Sequence, residues 1–415
     1  MASHLKGLIF SDTGKDTLIV SVGTLINVVA GSAFFILVPR LLGPINFGIF
    51  SAVIATGLFL SAIANFGIDT GVLNFAKNSA KSNEVFSIAI KSYIFLGTIA
   101  AVLGFILSKP LASFLGQPQI ATLLNIAFLF TIISLITNFY VAALQSRKEF
   151  VKASIVSIAS NMARIIILLI SAYFFVVGLY FVTILFFSAN IISIFAGTLF
   201  LKFDYVSKTD LKIAAFHRYN FWIALSLIVS SIPFDNYLLL KLSGPFQAGL
   251  YAASFKILTF AYQFGGNFTR VLAPRLASFD SNQKAKSFSI KSLPFTFAAV
   301  LGLFVLILLS HPLTKLLFGK SFIQSGSIMQ VLAVGFMFFF AATIPSSLIL
   351  YYFGKSSISF LITAIRYITF VILLILFIPR LNATGAAYAF SLSEALSFVL
   401  MTTYVVFKFK NGYSN

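Results

Sequence analysis

Residues 37–52 read L-V-P-R-L-L-G-P-I-N-F-G-I-F-S-A, and residues 238–253 read L-L-L-K-L-S-G-P-F-Q-A-G-L-Y-A-A. Placed 201 positions apart without a gap, they superpose Arg40 on Lys241, Gly43-Pro44 on Gly244-Pro245, Gly48 on Gly249, Phe50 on Tyr251 and Ala52 on Ala253. In each copy an apolar run ends in a basic residue, a Gly-Pro pair follows, and a second apolar run begins after the next glycine. Glycine permits backbone angles that other residues resist, and proline fixes φ, so the pair marks a tight corner between two helices. The chain reads as a duplication with one such hairpin tip in each half.

Composition supplies the environment of those helices. The 415 residues are 59% hydrophobic and only 9% charged, with a mean hydropathy of +1.01. A soluble domain runs at about 45–50% apolar. Runs long enough to cross a ~30 Å hydrocarbon layer, about 20 residues each, recur throughout. The expected fold class is therefore all-α: a polytopic membrane protein of about twelve transmembrane helices in two parallel-repeat six-helix bundles. The helices are expected near 17–38, 49–68, 87–108, 119–143, 154–177, 180–201, 220–240, 250–274, 291–310, 327–350, 356–378 and 384–407. The domains follow as 1–201 for the first bundle, 202–219 for a charged linker and 220–415 for the second bundle. An offset that spans six crossings keeps both repeats in the same orientation, related by an axis along the membrane normal.

The net charge of +19 would suggest nucleic acid if it formed a soluble patch. The basic residues are instead scattered through short connections, which is the pattern of membrane topology and anionic lipid headgroups, so no nucleic-acid partner is expected. Lys6, Lys15, Lys77, Lys81, Lys91, Arg147, Lys148, Lys152, Lys202, Lys208, Lys212, Arg218, Arg275, Lys284, Lys286, Lys291, Lys355, Lys408 and Lys410 fall on one side, with Arg40, Lys109, Lys241, Lys315, Lys320 and Arg380 on the other. The excess places both termini in the cytoplasm, in a multi-pass protein of the cytoplasmic (inner) membrane. The first 16 residues, carrying Lys6, Asp12, Lys15 and Asp16, precede an apolar run with no small-residue cleavage site, so a removable signal peptide is not expected.

Several chemistries are not expected. There is no cysteine, hence no disulfide framework and no thiolate ligand or nucleophile. His4, His217 and His311 have no carboxylate or second histidine at ligand spacing, so neither a metal nor a cofactor is expected. The phosphate-cradling G-x-x-x-x-G-K-[ST] loop is absent, and no outward connection is long enough for a catalytic domain. The chain is not expected to be an enzyme.

Three motifs carry a family resemblance. They are R-L-L-G-P-x-x-F-G-x-F after the first helix, K-L-x-G-P-x-x-A-G-L-Y-A-A-S-F-K-I in the second half, and I-P-R-L-N-A-T-G-A-A-Y-A-F at 378–390. Together they resemble the polysaccharide-biosynthesis flippases of the multidrug/oligosaccharidyl-lipid/polysaccharide exporter superfamily, over essentially the whole chain. The resemblance implies two bundles around a central cavity that moves polyprenyl-pyrophosphate-linked oligosaccharide across the membrane by alternating access. The partners implied are that lipid-linked oligosaccharide, membrane lipids, a coupling H⁺ or Na⁺, and polysaccharide polymerase machinery. An ion-coupled multidrug exporter of the same superfamily is the alternative.

Candidate site residues are ionisable groups inside the apolar runs. A charge at mid-membrane costs about 2.5–3.5 kcal/mol even on the lenient insertion scale, so each needs a partner, water or a headgroup. Arg164, Arg366, Lys256, Arg270 and Arg40 are the candidate cations for a pyrophosphate, because guanidinium meets phosphate oxygens with paired, fixed donors. Tyr262 and Asn267, with Tyr237, Tyr251 and Gln263, could face the sugar. Asp235, Glu394 and Asp69 are the candidate coupling carboxylates; proton relays are built from such groups in apolar settings. Structural roles compete with each assignment: Arg40 and Lys241 as headgroup anchors, Arg164 and Arg366 paired with Glu394 or with backbone carbonyls, Asp235 paired with Lys241 or Lys256, and Asp69 with Arg270.

Overall fold

The computed structural model describes residues 12–76, 79–204, 216, 217, 220, 221, 224, 228 and 231–411. Among them every regular element is helical. In chain order the α-helices are α1 (Asp12–Asn65), α2 (Ile68–Phe75), α3 (Ser79–Phe114), α4 (Ala121–Leu129), α5 (Thr131–Ser146), α6 (Phe150–Phe174), α7 (Leu179–Ser188), α8 (Asn190–Phe200), α9 (Phe234–Ala277), α10 (Asn282–Leu308), α11 (Ser310–Phe318), α12 (Ser325–Ser347) and α13 (Ser356–Lys410). Eight helical stretches among the described residues are long and apolar enough to cross a membrane. Their surfaces carry large apolar side chains, with Phe95, Phe105, Phe295 and Phe360 each about two-thirds exposed. That is the surface hydrocarbon requires and water would reject.

Two of the eight stretches, Leu25–Asn65 and Ser356–Lys410, contain 41 and 55 residues, far more than the ~20 that one crossing needs. Each is bent at a single residue. α1 leaves helical geometry at Gly43 (φ 70°, ψ 172°), and α13 at Asn382 (φ 53°, ψ −134°). α9 bends at Gly244 (φ 79°, ψ 173°). The Gly-Pro pairs are thus corners one residue wide. Positive φ with extended ψ is open at low cost only to glycine. The following proline starts the next helical arm, where its missing N–H is no loss.

The chain packs as two compact units. The first comprises Met1–Leu42 and Ile49–Pro233, the second Gly43–Gly48 and Phe234–Asn415. The division lies at Pro233–Phe234, inside the stretch expected as a helix over 220–240, where Ile232 and Pro233 are non-helical. Proline cannot donate into a helix ladder, which accounts for the break. The first unit is held by a cluster that includes Phe86, Tyr93, Phe139 and Phe216, all with no more than trace exposure. Phe216 comes from the end of the expected linker and packs on Phe75, ring centroids 5.6 Å apart. Beside it, His217 Nε2 lies 3.2 Å from Ser92 Oγ, and partial burial holds its imidazole below the ordinary histidine range. The second unit has its own cluster around Leu348, Ile349, Tyr352 and Phe353, next to a π-turn over Leu348–Tyr352 that follows Pro345.

Nothing lies within 4 Å of a Cβ built on Gly43 or Gly244, so substitution there meets backbone strain alone. Gly43→Ala and Gly244→Ala should each cost about 1–3 kcal/mol, seen as a lower midpoint of thermal unfolding in detergent. Wild-type midpoints in both would show that the corners are not held at these angles.

Candidate functional site

The first unit buries a guanidinium. Arg164 sits past the midpoint of α6, within an apolar run, and is 9% exposed. Its Nε donates to the carbonyl of Phe186 (2.9 Å), one NH₂ to Asn161 Oδ1 (2.6 Å) and the other to Asn190 Oδ1 (3.4 Å). The guanidinium carbon lies 4.3 Å from the centroid of the Phe186 ring, within cation–π range. These acceptors are all neutral, so none of them compensates the charge of the guanidinium.

The network reaches outward from there. Asn161 Nδ2 donates to Asn27 Oδ1 on α1 (2.7 Å), and Asn27 Nδ2 to Ser157 Oγ (3.2 Å). Asn190 Nδ2 donates to Ser134 Oγ on α5 (3.3 Å) and to the Phe187 carbonyl (3.2 Å). The local backbone explains why these groups are needed. α7 stops at Ser188 and α8 begins at Asn190, and carbonyls released at such a break inside hydrocarbon must find other donors. Arg164 and Asn190 supply them. A turn earlier in α6, Ser193 Oγ donates to the Val156 carbonyl (2.7 Å) and accepts from the Ser160 N–H (3.0 Å). The hydroxyl is inserted into the helix ladder, one of the recognised causes of a local bend.

The second unit holds charges of both signs. Arg366 donates to Glu394 Oε1 at 2.7 Å between the two arms of α13, with side-chain exposures of 23% and 8%. Its guanidinium also lies 5.6 Å from the Tyr367 ring centroid. Asp235, at the start of α9, accepts from Tyr251 Oη (3.1 Å), the Asn236 N–H (2.9 Å) and Asn236 Nδ2 (3.1 Å). Tyr251 is fully buried. Tyr367 is within electrostatic reach of both Asp235 and Arg366, and its ring lies 6.2 Å from that of Phe234.

The remaining candidates are dispersed. Arg40 is exposed at the end of the first arm of α1, and Lys256 is half-buried on the second arm of α9. Asp69 turns back to accept from the Thr70 N–H (2.8 Å) at the start of α2, just after the consecutive positive-φ residues Phe66 and Gly67. Arg270, Tyr262 and Asn267, with Gln263, lie outside the residues whose side chains are described, as does the expected Asp69–Arg270 pairing. Sequence reasoning passes over Asn27, Asn161, Asn190 and Ser193. The available signal is the amide: three asparagines within apolar runs, where an unpaired amide is costly.

The family of polysaccharide biosynthesis proteins matches residues 13–280. The chain belongs to that family. Among curated relatives, a Shigella flexneri protein described as a candidate O-antigen transporter is 24% identical over 391 residues, covering 87% of this chain and 90% of its own. The capsular polysaccharide biosynthesis protein CapF of Staphylococcus aureus is 25% identical over 188 residues, 44% of this chain and 46% of its own. Among solved structures this family member superposes on the lipid II flippase MurJ with a TM-score of 0.77 at 16% identity, covering 94% of this chain and 87% of that one. An inward-facing multidrug resistance transporter of the MATE family gives 0.76 at 15% identity, covering 94% and 95%. Those two likenesses establish a shared fold.

Removing one member of a buried ion pair strands the other, at about 3–5 kcal/mol, whereas replacing both by apolar residues is often neutral. With Arg366 partly exposed, Arg366→Ala and Glu394→Ala should each cost at or below the low end of that range. Arg366→Met with Glu394→Leu should recover most of the loss in detergent thermal melts. Additive losses in the double variant would contradict the pairing.

Proposed function

We propose that this chain is a flippase that carries polyprenyl-pyrophosphate-linked oligosaccharide across the cytoplasmic membrane by alternating access, for cell-surface polysaccharide synthesis. Arg164 carries the reading. A permanent cation whose acceptors among the described residues are all neutral puts an uncompensated positive charge inside the first unit, which suits an anionic cargo and disfavours a cationic drug. Family membership and the end-to-end match to a candidate O-antigen transporter support the same cargo class. The multidrug exporter reading has the fold in its favour but needs carboxylates for its cargo; Glu394 is already committed to Arg366, and Asp235 is taken for coupling.

In this reading there are twelve crossings, with the arms on either side of Gly43, Gly244 and Asn382 counted separately, and both termini are cytoplasmic. The protein is a transporter and not an enzyme, with the polymerase machinery consuming its product. Asp235 is the coupling carboxylate for H⁺ or Na⁺, since it is held by neutral donors that remain in place when its charge changes. Arg366 and Glu394 set the geometry of the second unit. Arg40 and Lys256, with Arg270, Tyr262 and Asn267 on the second arm of α9, attend the pyrophosphate and sugar.

Proteoliposomes loaded with lipid-linked oligosaccharide test this. A lost charge-assisted hydrogen bond of about 1.5–3 kcal/mol corresponds to roughly a 10- to 100-fold slower rate, the effect expected of Arg164→Gln. Asp235→Asn should keep downhill exchange and lose gradient-driven accumulation. Wild-type protein that moves no lipid-linked sugar would overturn the flippase reading, and an Asp235→Asn variant still driven by the gradient would remove Asp235 from coupling.

A further inference from the structure

The two copies of the duplicated motif meet each other inside the second unit, glycine to glycine. A Cβ on Gly48 would overlap the carbonyl oxygen of Pro245 and lie 2.7 Å from the Gly249 nitrogen. A Cβ on Gly249 would overlap the carbonyl oxygen of Pro44 and lie 3.0 Å from the Gly48 nitrogen. The contact is reciprocal, with the same atoms of each copy meeting their counterparts in the other, as at a local two-fold axis. Only residues without a side chain allow backbones to approach this closely, and Gly249 is followed one turn later by the buried Ala253, in the small-x-x-x-small pattern of close helix packing. Next to the crossing, Phe47 is fully buried with its ring centroid 6.2 Å from that of Phe322, also fully buried.

We propose that Gly48 and Gly249 are positioning residues of an outer seal on the transport path: the two motifs meet there while the outside is closed and part when it opens. The proposal rests on the flippase reading, and on the basic-residue asymmetry that puts both Gly-Pro corners on the outer side. Its physical basis is the kind of contact involved. At the crossing itself Cα–H and carbonyl groups meet backbone to backbone, each contact individually weak, and the Phe47–Phe322 ring pair is the side-chain contact beside it that parts with them. Gly43–Gly48 packs with the second unit, yet its chain neighbours Leu42 and Ile49 belong to the first. A short segment tethered in this way can be released and recaptured as a piece.

The absence of any native cysteine makes thiol tests clean. Phe47→Cys combined with Phe322→Cys should be bridged by a short bis-methanethiosulfonate cross-linker, arresting lipid-linked oligosaccharide transport in proteoliposomes, with activity restored by reductant. A cross-linked protein that transports as fast as the uncross-linked one overturns the proposal, and failure of the pair to cross-link overturns the packing on which it depends. Ala253→Cys, at a buried position one turn beyond the crossing, gives a readout that needs no cargo. An impermeant maleimide applied from outside should label it several-fold faster in Gly48→Ala or Gly249→Ala backgrounds, and unchanged labelling in both overturns the seal. Wild-type protein that moves no lipid-linked sugar would defeat the flippase reading while leaving the labelling result to judge the crossing by itself.

Discussion

Hydrocarbon offers no hydrogen bonds, so each charge or released backbone group within the spans must be satisfied by the protein. In the first unit that requirement converges on one side chain. The break between α7 and α8 frees the Phe186 carbonyl; Arg164 meets it, and the remaining donors of Arg164 call in Asn161 and Asn190, which in turn engage Asn27 and Ser134. Helices α1, α5, α6 and the α7–α8 pair are thereby tied through one cation without a carboxylate. The second unit solves the same problem with opposite charges, pairing Arg366 with Glu394 and leaving Asp235 among neutral donors.

This difference gives the two units different chemistry. Amides and a guanidinium hold a fixed charge at any physiological pH, whereas a carboxylate on neutral donors can gain or lose a cation without leaving a stranded partner. On the flippase reading proposed above, the buried cation of one unit and the carboxylate of the other would divide the labour of moving an anion at the expense of a cation gradient.

Much of the architecture was legible in the sequence because it is written in composition and in two residue types with unusual backbones. Apolar runs of spanning length marked the helices, and Gly43-Pro44 and Gly244-Pro245 marked the corners, since glycine opens positive φ and proline can start the next arm. A break between 378 and 384 was expected too, but not its placement on Asn382, because asparagine reaches positive φ only with help from its surroundings. The division at Pro233 was also hidden: a proline within an apolar run kinks some helices and ends others, and packing decides which. Within the site, the sequence isolated Arg164, Arg366 and Glu394 by the cost of burying charge. It could not give their partners, because helices buried on all sides show little periodicity to indicate which faces meet. Nor could spacing reveal that the two repeats touch at Gly48 and Gly249, a relation that exists only in three dimensions.

The sign of the cargo is the central claim. Transport by the wild-type protein of polyprenyl-pyrophosphate oligosaccharide and of a cationic drug, measured in the same proteoliposomes under the same gradient, tests it most directly. The account predicts movement of the anionic lipid-linked sugar and none of the drug. Drug export without lipid-linked sugar movement would contradict it, and would mean that the positive charge of Arg164 serves only to hold the broken helix together.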